Sequence, residues 1–240
     1  MNDSNDPDFN APRHFDAKKA GLYDEYIPRV IPGYDTLHQL ALHIVGNAIG
    51  GQGRVLIVGV GTGKDTGDLC RAYAGVTVSG CDLSADMLAV AREKFTRDGV
   101  DDRIDLIHGG AGELPDAPVF DAAMMILVMH FIPDGGDKNT LLSDIAARLK
   151  PGAPLILADM FGDRDSTAYK DQEAVWRNLQ ILGGAEPEDV DDNIRHAARD
   201  TYTIDEARLG ELLDEAGLTT PTPFFRSLMF GGWVARKKTT

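Results

Sequence analysis

The stretch Arg54–Gly67, RVLIVGVGTGKDTG, decides the fold of this chain. It begins with Val55–Val58, a short run of branched apolar residues typical of a strand buried on both faces of a sheet. Gly59, Gly61 and Gly63 follow, and alternating glycines allow a tight turn in which a ligand lies against bare backbone. Because polar, helix-compatible sequence comes next, the stretch predicts the first half of a nucleotide-binding βαβ unit.

A second strand and an acidic residue complete this unit at the expected distance. Thr77–Cys81 is predicted to be a strand. Asp82 ends it roughly 20 residues after the glycine turn, where an acidic side chain reaches ribose hydroxyls. The turn lacks the third glycine of the dinucleotide fingerprint, and Asp65 after Lys64 breaks the G-K-[ST] pattern of a phosphate loop. The sequence therefore predicts a nucleotide site without the phosphate-cradling pattern.

The glycine turn resembles motif I of class I S-adenosylmethionine (SAM) methyltransferases, which ends in G-x-G-x-G. Asp82–Leu88, DLSADML, resembles the D-x-S-x-x-M-L segment after their second strand. Gly109–Pro115 is similar to their G-D-A-x-x-L-P loop, with Gly110 where the acid usually stands. The resemblance implies a Rossmann-like α/β fold with a seven-stranded, mostly parallel sheet and an antiparallel C-terminal hairpin. It also implies SAM as the cofactor and S-adenosylhomocysteine as the product.

A closer resemblance, to the bacterial carboxy-SAM synthases of tRNA wobble-uridine modification, reaches nearly the whole chain. The similar segments are Arg29–Tyr34 (RVIPGY), Met129–Phe131 (MHF), Leu149–Gly152 (LKPG) and Phe230–Ala235 (FGGWVA). Those enzymes have a methyltransferase fold but convert SAM and prephenate into carboxy-SAM. The resemblance implies that Tyr34 contacts SAM and that Arg195, with Arg199 second, binds a ligand carboxylate.

Three positions depart from the synthase pattern and leave three functions open. Ile57 stands in place of an acid of the first strand, Gly110 in place of the acid after the third strand, and Ile126 in place of an asparagine of the fourth. We therefore expect a SAM-dependent methyltransferase that acts on a small molecule. The alternatives are a carboxy-SAM synthase and a SAM-binding protein without turnover.

The candidate site residues lie mainly where strands end, since ligands of open α/β sheets bind at the carboxyl ends of the strands. The predicted cofactor-binding residues are Tyr34, Gly59, Val60, Gly61, Gly63, Asp82, Leu83, Met87, Gly110, Ala111 and Ile126. Because SAM carries its own leaving group, a general base matters only when the acceptor is protonated. His130, His196 and Asp159 are candidates for that base, and we predict His130 and Arg195 as catalytic residues. No pattern of metal-ligand spacing occurs.

Composition narrows the class of protein. A length of 240 residues and 43% hydrophobic content fit a single soluble domain with an ample core. No apolar run approaches the roughly 20 residues that span a bilayer, and the acidic N-terminus is not a signal peptide. The net charge of −14 argues against a broad nucleic-acid surface. We expect a cytoplasmic enzyme with a small-molecule substrate, and the sequence leaves open whether it forms a homodimer.

We divide the chain into an N-terminal tail and lid, residues 1–34, and a SAM-binding domain, residues 35–240. The lid is predicted from Phe15 to Tyr34, where aromatic residues return, and its last part is predicted to be extended. Asp35 is predicted to cap the next helix. Gly183–Asp192 is predicted to be an acidic loop, and the ten residues after it are left unassigned.

Overall fold

A seven-stranded sheet flanked by helices forms the part of the chain described by the computed structural model, residues 17–114 and 117–239. The strands are β1 Gln52–Val58, β2 Gly75–Asp82, β3 Ile104–His108, β4 Ala122–Ile126, β5 Pro154–Met160, β6 Thr222–Ser227 and β7 Phe230–Arg236. The α-helices are α1 Ala17–Val30, α2 Tyr34–Ala48, α3 Lys64–Ala72, α4 Ala85–Asp98, α5 Asp137–Arg148, α6 Thr167–Leu182, α7 Pro187–Asp200 and α8 Glu206–Glu215. Phe15 and Pro115 lie outside the described residues.

The strand order is β3-β2-β1-β4-β5-β7-β6. Neighbours from β3 to β5 pair in parallel, whereas β7 pairs antiparallel with both β5 and β6. This confirms the predicted fold, including the C-terminal hairpin. The chain leaves β1 toward β2 on one side and later returns to β4 on the other. The carboxyl ends of β1 and β4 therefore flank the switch in strand order, where open α/β sheets bind their ligands.

The continuous apolar run of β1 is explained by burial on both faces of the sheet. Leu56 and Val58 pack in one core cluster, which includes the apolar faces of α5 and α8. Val55 and Ile57 alternate with them and pack in the opposite cluster, with α2, α3 and α4. Because side chains of a strand alternate between its faces, a strand covered by helices on both sides needs an apolar residue at every position.

The segment before Asp35 is not extended, as the sequence suggested, but ends a helix. Helix α1 runs through Pro28. Gly33, with φ of 80°, occupies the N-cap position of α2 without a side-chain cap, so the prediction of Asp35 as the cap was wrong. A tertiary contact favours this path, because the Trp176 indole N–H donates to the Val30 carbonyl at 2.6 Å.

The prediction of an acidic loop over Gly183–Asp192 is correct for residues 183–186 and wrong from Pro187 onward, where helix α7 begins. Pro187 lies at the start of the helix, where its missing N–H costs nothing. Glu188 and Asp189 occupy the first turn, where negative charge is favourable beside the helix dipole. Val190 is buried beneath them. The acidic residues therefore promote this helix, which also takes up most of the unassigned residues that follow.

Candidate active site

A cavity of about 170 Å³ opens at the carboxyl ends of the central strands. The predicted cofactor-binding residues that line it are Gly59, Gly61, Asp82, Leu83, Met87, Gly110, Ala111 and Ile126. Most of these side chains are apolar or absent, and Asp82 is the carboxylate among the described lining residues. The cavity therefore combines an apolar slot with one fixed negative group.

Asp82 is held in place by two backbone amides. The Gly61 N–H donates to its Oδ2 at 2.7 Å, and the Ser84 N–H donates to its Oδ1 at 2.8 Å. Burial raises the pKa of the Asp82 carboxyl above its ordinary value, and these amide bonds partly oppose the shift. Ser84 also caps α4 by accepting from the Met87 N–H at 3.2 Å. The strand end, the glycine turn and the next helix are thereby joined at one carboxylate.

The three glycines of the turn have positive φ and different surroundings. A Cβ on Gly59 would lie 2.2 Å from Val128, and one on Gly63 would lie 2.6 Å from the Phe95 ring. At Gly61 an added Cβ would meet no atom within 4 Å, although its φ of 54° disfavours a side chain. Gly63 thus serves the packing of α3 against α4, whereas Gly61 presents bare backbone to open space.

Tyr34, Val60 and Gly63 do not line this cavity. The Tyr34 ring is buried and lies 4.1 Å from the His38 ring, centroid to centroid. His38 in turn shares a hydrogen bond of 2.6 Å with the Asp65 carboxylate at the start of α3. Tyr34 belongs to a core cluster with Met160, Trp176 and Phe230, which line the second cavity described next, and it is not among the lining residues of the first.

A second cavity, of about 1020 Å³, adjoins the first beneath α1, α6 and α7. Tyr23, Leu127 and Phe131 line both cavities. Leu127 has φ of 60°, which is unusual for a residue with a side chain, and it follows the last residue of β4. Its N–H donates to the Ala158 carbonyl at 2.7 Å. The two cavities therefore meet at the strained end of a central strand.

His130 lines the second cavity and forms a buried pair with Asp159 at the end of β5. With the proton placed on Nδ1, the His130 ring donates to the Asp159 carboxylate. The Tyr202 N–H donates to the His130 carbonyl at 2.6 Å. Lys138 is fully buried and donates from Nζ to the Met129 carbonyl at 2.7 Å, and burial lowers its pKa. Backbone and side chain of His130 are thus both fixed.

The structure does not bring Arg195 to either cavity. Its side chain is 69% exposed on α7 and pairs with Asp192, three residues earlier. Arg199 pairs with the adjacent Asp200 at 2.6 Å. His196 does line the second cavity, and its Nδ1 lies 2.8 Å from the Asp192 carbonyl. Of these α7 candidates, the structure places only His196 among the described lining residues.

Helix α1 contributes residues that the pattern analysis did not assign to the site. Tyr23 lines both cavities, and its neighbour Asp24 accepts from the Thr62 hydroxyl of the glycine turn at 2.5 Å. Asp24 also pairs with Lys94 of α4. The aromatic residue in the predicted lid was the available sequence signal for Tyr23. The place of Leu127 at the ligand-binding edge was expected, because it follows the end of β4, whereas its backbone conformation, which leucine rarely adopts, had no sequence signal.

Comparison with known proteins finds methyltransferases and carboxy-SAM synthases among the relatives of this chain. Residues 55–152 match a family described as a methyltransferase domain. A carboxy-S-adenosyl-L-methionine synthase of Chromohalobacter salexigens is 27% identical over 236 residues, 93% of this chain and 83% of that protein. The O-methyltransferase cnsE of Penicillium expansum is 36% identical over 112 residues, but the match spans 45% of this chain and 38% of that protein.

Solved methyltransferases share the fold. The 1,6-didemethyltoxoflavin-N1-methyltransferase of Burkholderia thailandensis, crystallised with 1,6-didemethyltoxoflavin and S-adenosylhomocysteine, superimposes with a TM-score of 0.59 at 21% identity. The match covers 98% of this chain and 94% of that protein. Within residues 17–114 and 117–239, no helix is long and apolar enough to cross a membrane.

Proposed function

Because this chain carries a SAM-dependent methyltransferase domain in a class I methyltransferase fold, we propose that it methylates a hydroxyl group of a small molecule, with His130 as the general base. The observation that carries the proposal is the buried pair of His130 and Asp159 in the wall of the second cavity. Phe131, the next residue, lines both cavities. The base therefore lies beside the passage between a cofactor cavity and an acceptor cavity.

The first cavity fits SAM in its chemistry. We assign the ribose hydroxyls to Asp82, whose carboxylate is already oriented by two amides. The backbone of Gly59 and Gly61 would face the methionine part, and Leu83 and Met87, which also line this cavity, would offer apolar contact to the adenine. SAM supplies an electrophilic methyl group together with its own leaving group. What the protein must add is alignment of the acceptor and removal of its proton.

The proton transfer follows from how His130 is held. Asp159 fixes the imidazole with the proton on Nδ1, which leaves Nε2 to take a proton from the acceptor hydroxyl. The Asp159 carboxylate then stabilises the imidazolium cation that forms. Lys138 and Tyr202 keep the turn around His130 in place through its carbonyl groups. Helices α1 and α7 supply walls of the second cavity, which His130 and Phe131 also line.

The test is transfer of labelled methyl groups from SAM to a panel of hydroxyl acceptors. We expect His130→Gln to lower kcat about 100-fold or more, in the range that general-base catalysis contributes. Its affinity for S-adenosylhomocysteine should stay near the wild-type value, because His130 does not line the first cavity. His43→Gln, an exposed position on α2 that lines neither cavity, is the matched control and should leave kcat unchanged. Wild-type kcat in His130→Gln would refute the assignment of the base.

A second candidate is carboxy-SAM synthesis, because the Chromohalobacter relative named for that activity matches 93% of this chain. That chemistry needs a fixed cation for a carboxylate, and Arg195 is instead exposed and paired with Asp192. A third candidate is SAM binding without turnover, motivated by Ile57 and Gly110 where the synthases have acids. We place methyl transfer first, because the His130–Asp159 pair suits proton removal.

Several broader expectations stay proposals. We propose that residues 35–240 form the SAM-binding domain and that residues 1–34 form a tail and a lid. The net charge of −14 supports the absence of a broad nucleic-acid surface, and the free, buried thiols of Cys70 and Cys81 suit a cytoplasmic protein. A homodimer is one assembly state, and sedimentation velocity at several concentrations tests it.

A further inference from the structure

We propose that the second cavity selects an acceptor with an aromatic, apolar body and a single reacting hydroxyl, and that it rejects acceptors carrying a carboxylate. The inference rests on the proposed methyl transfer for the role of the hydroxyl. Three features of the cavity support it. The walls are apolar and aromatic, most polar wall groups already have partners inside the protein, and the charges at the cavity surface are mainly negative.

The walls are large, apolar and rich in aromatic rings. The aromatic lining residues are Tyr23, Tyr26, Phe131, Trp176 and Phe230. Aliphatic side chains from α1 and the end of β4 fill the space between them. A volume of about 1020 Å³ lies at the upper end of the range for small-molecule sites, roughly 300–1,000 Å³. The cavity therefore suits a body of several fused or linked rings, which would bury its faces against these side chains.

Several polar groups of the wall already have partners inside the protein. The Tyr26 hydroxyl accepts from Asn193 at 2.7 Å, and the Trp176 N–H donates to the Val30 carbonyl at 2.6 Å. The Thr201 hydroxyl donates to the Ala197 carbonyl at 2.8 Å. A polar ligand group buried against occupied partners loses its hydration without compensation. His130 is then the buried wall group that meets a ligand hydroxyl.

The charges at the cavity disfavour an anionic ligand. Glu25 and Asp189 line it, and neither has a cation within salt-bridge distance among the described side chains. Asp192 and Asp200 also line it and are paired with arginines of α7. Among the described lining residues, Arg29 is the one arginine, and no lysine lines the cavity. A carboxylate entering this cavity would therefore meet more negative than positive groups, and like charges brought together cost binding energy.

Calorimetry on protein saturated with S-adenosylhomocysteine tests the selectivity with matched pairs of phenols. A first pair is 2-naphthol and 6-hydroxy-2-naphthoate, which differ by the carboxylate, and a panel extends the pairing to smaller and larger ring systems. We expect the neutral member to bind about tenfold or more tightly than its carboxylate partner. Equal or tighter binding of the carboxylate members overturns the inference, as does no neutral member binding below about 1 mM.

Paired variants locate the effect. Ala197→Phe places a ring in the cavity from α7, and we expect it to weaken binding of the neutral phenol about tenfold or more. Ala198→Phe adds the same ring at the next, exposed position and should leave binding unchanged. Equal effects of the two variants would place the phenol elsewhere and overturn the inference.

The charge argument has its own variant. Glu25→Gln combined with Asp189→Asn should reduce the preference for the neutral member several-fold, whereas Glu188→Gln, an exposed neighbour, should not. An unchanged preference in the double variant contradicts the charge argument. Binding of S-adenosylhomocysteine is measured separately, since failure of the protein to bind it would refute the proposed methyl transfer. The ratio of the affinities for the neutral and the carboxylate phenol tests only the selectivity of the second cavity.

Discussion

At the scale of single residues, the Asp82 carboxylate links the glycine turn to the start of α4. One of its oxygens accepts from the Gly61 N–H and the other from the Ser84 N–H. An asparagine at this position has one oxygen and one amide group, so it cannot accept from both amides. We expect Asp82→Asn to weaken binding of S-adenosylhomocysteine by on the order of 1–3 kcal/mol, or about 5- to 150-fold. Calorimetry measures the change, and Asp86→Asn, exposed on α4, is the control.

The pH dependence of Asp82 gives the same prediction a second readout. Burial raises the pKa of the Asp82 carboxyl above 3.8, so ribose binding by the ionised form should weaken as pH falls through that raised pKa. The stability of the ligand-free protein depends on pH in the opposite direction. The protonated form is favoured by folding, so this contribution to stability is present below pH 3.8 and is lost as pH rises through the raised pKa. A pH profile of affinity identical in wild type and Asp82→Asn would mean that the ribose is held elsewhere.

At the scale of elements, Asp24 joins helix α1 to the glycine turn and to α4, because it accepts from the Thr62 hydroxyl and pairs with Lys94. If α1 is a lid, these contacts must break when it opens. We expect Asp24→Asn to increase amide hydrogen exchange in α1 and to speed the release of S-adenosylhomocysteine several-fold. Glu93→Gln, exposed beside Lys94, is the control.

Two results would separate a lid from a fixed wall. Addition of S-adenosylhomocysteine should raise the protection of α1 in the wild type more than in Asp24→Asn. Unchanged protection of α1 with and without this ligand would count against a lid, whatever its effect on affinity.

The elements also show how far the sequence alone reaches. Val55–Val58 and the glycine turn are predictable because their pattern is local and both faces of the strand are covered by helices. The start of α7 was missed because acidic residues suggested a loop, although Pro187 followed by acidic residues is also a helix start. The end of α1 was missed because its path depends on Trp176, 146 residues away from Val30. Contacts of that separation leave no periodic signal.

At the scale of the whole molecule, the sheet order brings residues from distant parts of the chain to one edge. Asp82 follows from a local motif, whereas the pairing of His130 with Asp159 joins the ends of β4 and β5. The sequence identified Asp82, His130 and Asp159 as candidates, but it could not show that His130 and Asp159 are in contact. It also placed Arg195 near the ligand by resemblance, and the packing of α7 points that side chain to solvent.

This packing leads to a prediction that decides between methyl transfer and carboxy-SAM synthesis. A synthase must hold a carboxylate beside a developing sulfonium ylide, and a guanidinium group is the suited cation because it binds carboxylates bidentately. Here Arg195 is exposed and paired with Asp192, and Glu25 and Asp189 add negative charge to the neighbouring cavity. We therefore expect no carboxy-SAM when the protein is incubated with SAM and prephenate and the products are separated by mass.

The same experiment contains its own control and its own contradiction. Binding of S-adenosylhomocysteine, measured on the same preparation, shows that the cofactor cavity is intact. Arg195→Ala should then leave methyl transfer to hydroxyl acceptors unchanged, because a solvent-exposed pair such as that of Arg195 and Asp192 contributes little. If carboxy-SAM accumulates and Arg195→Ala abolishes it, the protein is a carboxy-SAM synthase and the proposed methyl transfer is wrong. Helix α7 must then rearrange when ligand binds, so that the Arg195 guanidinium turns inward.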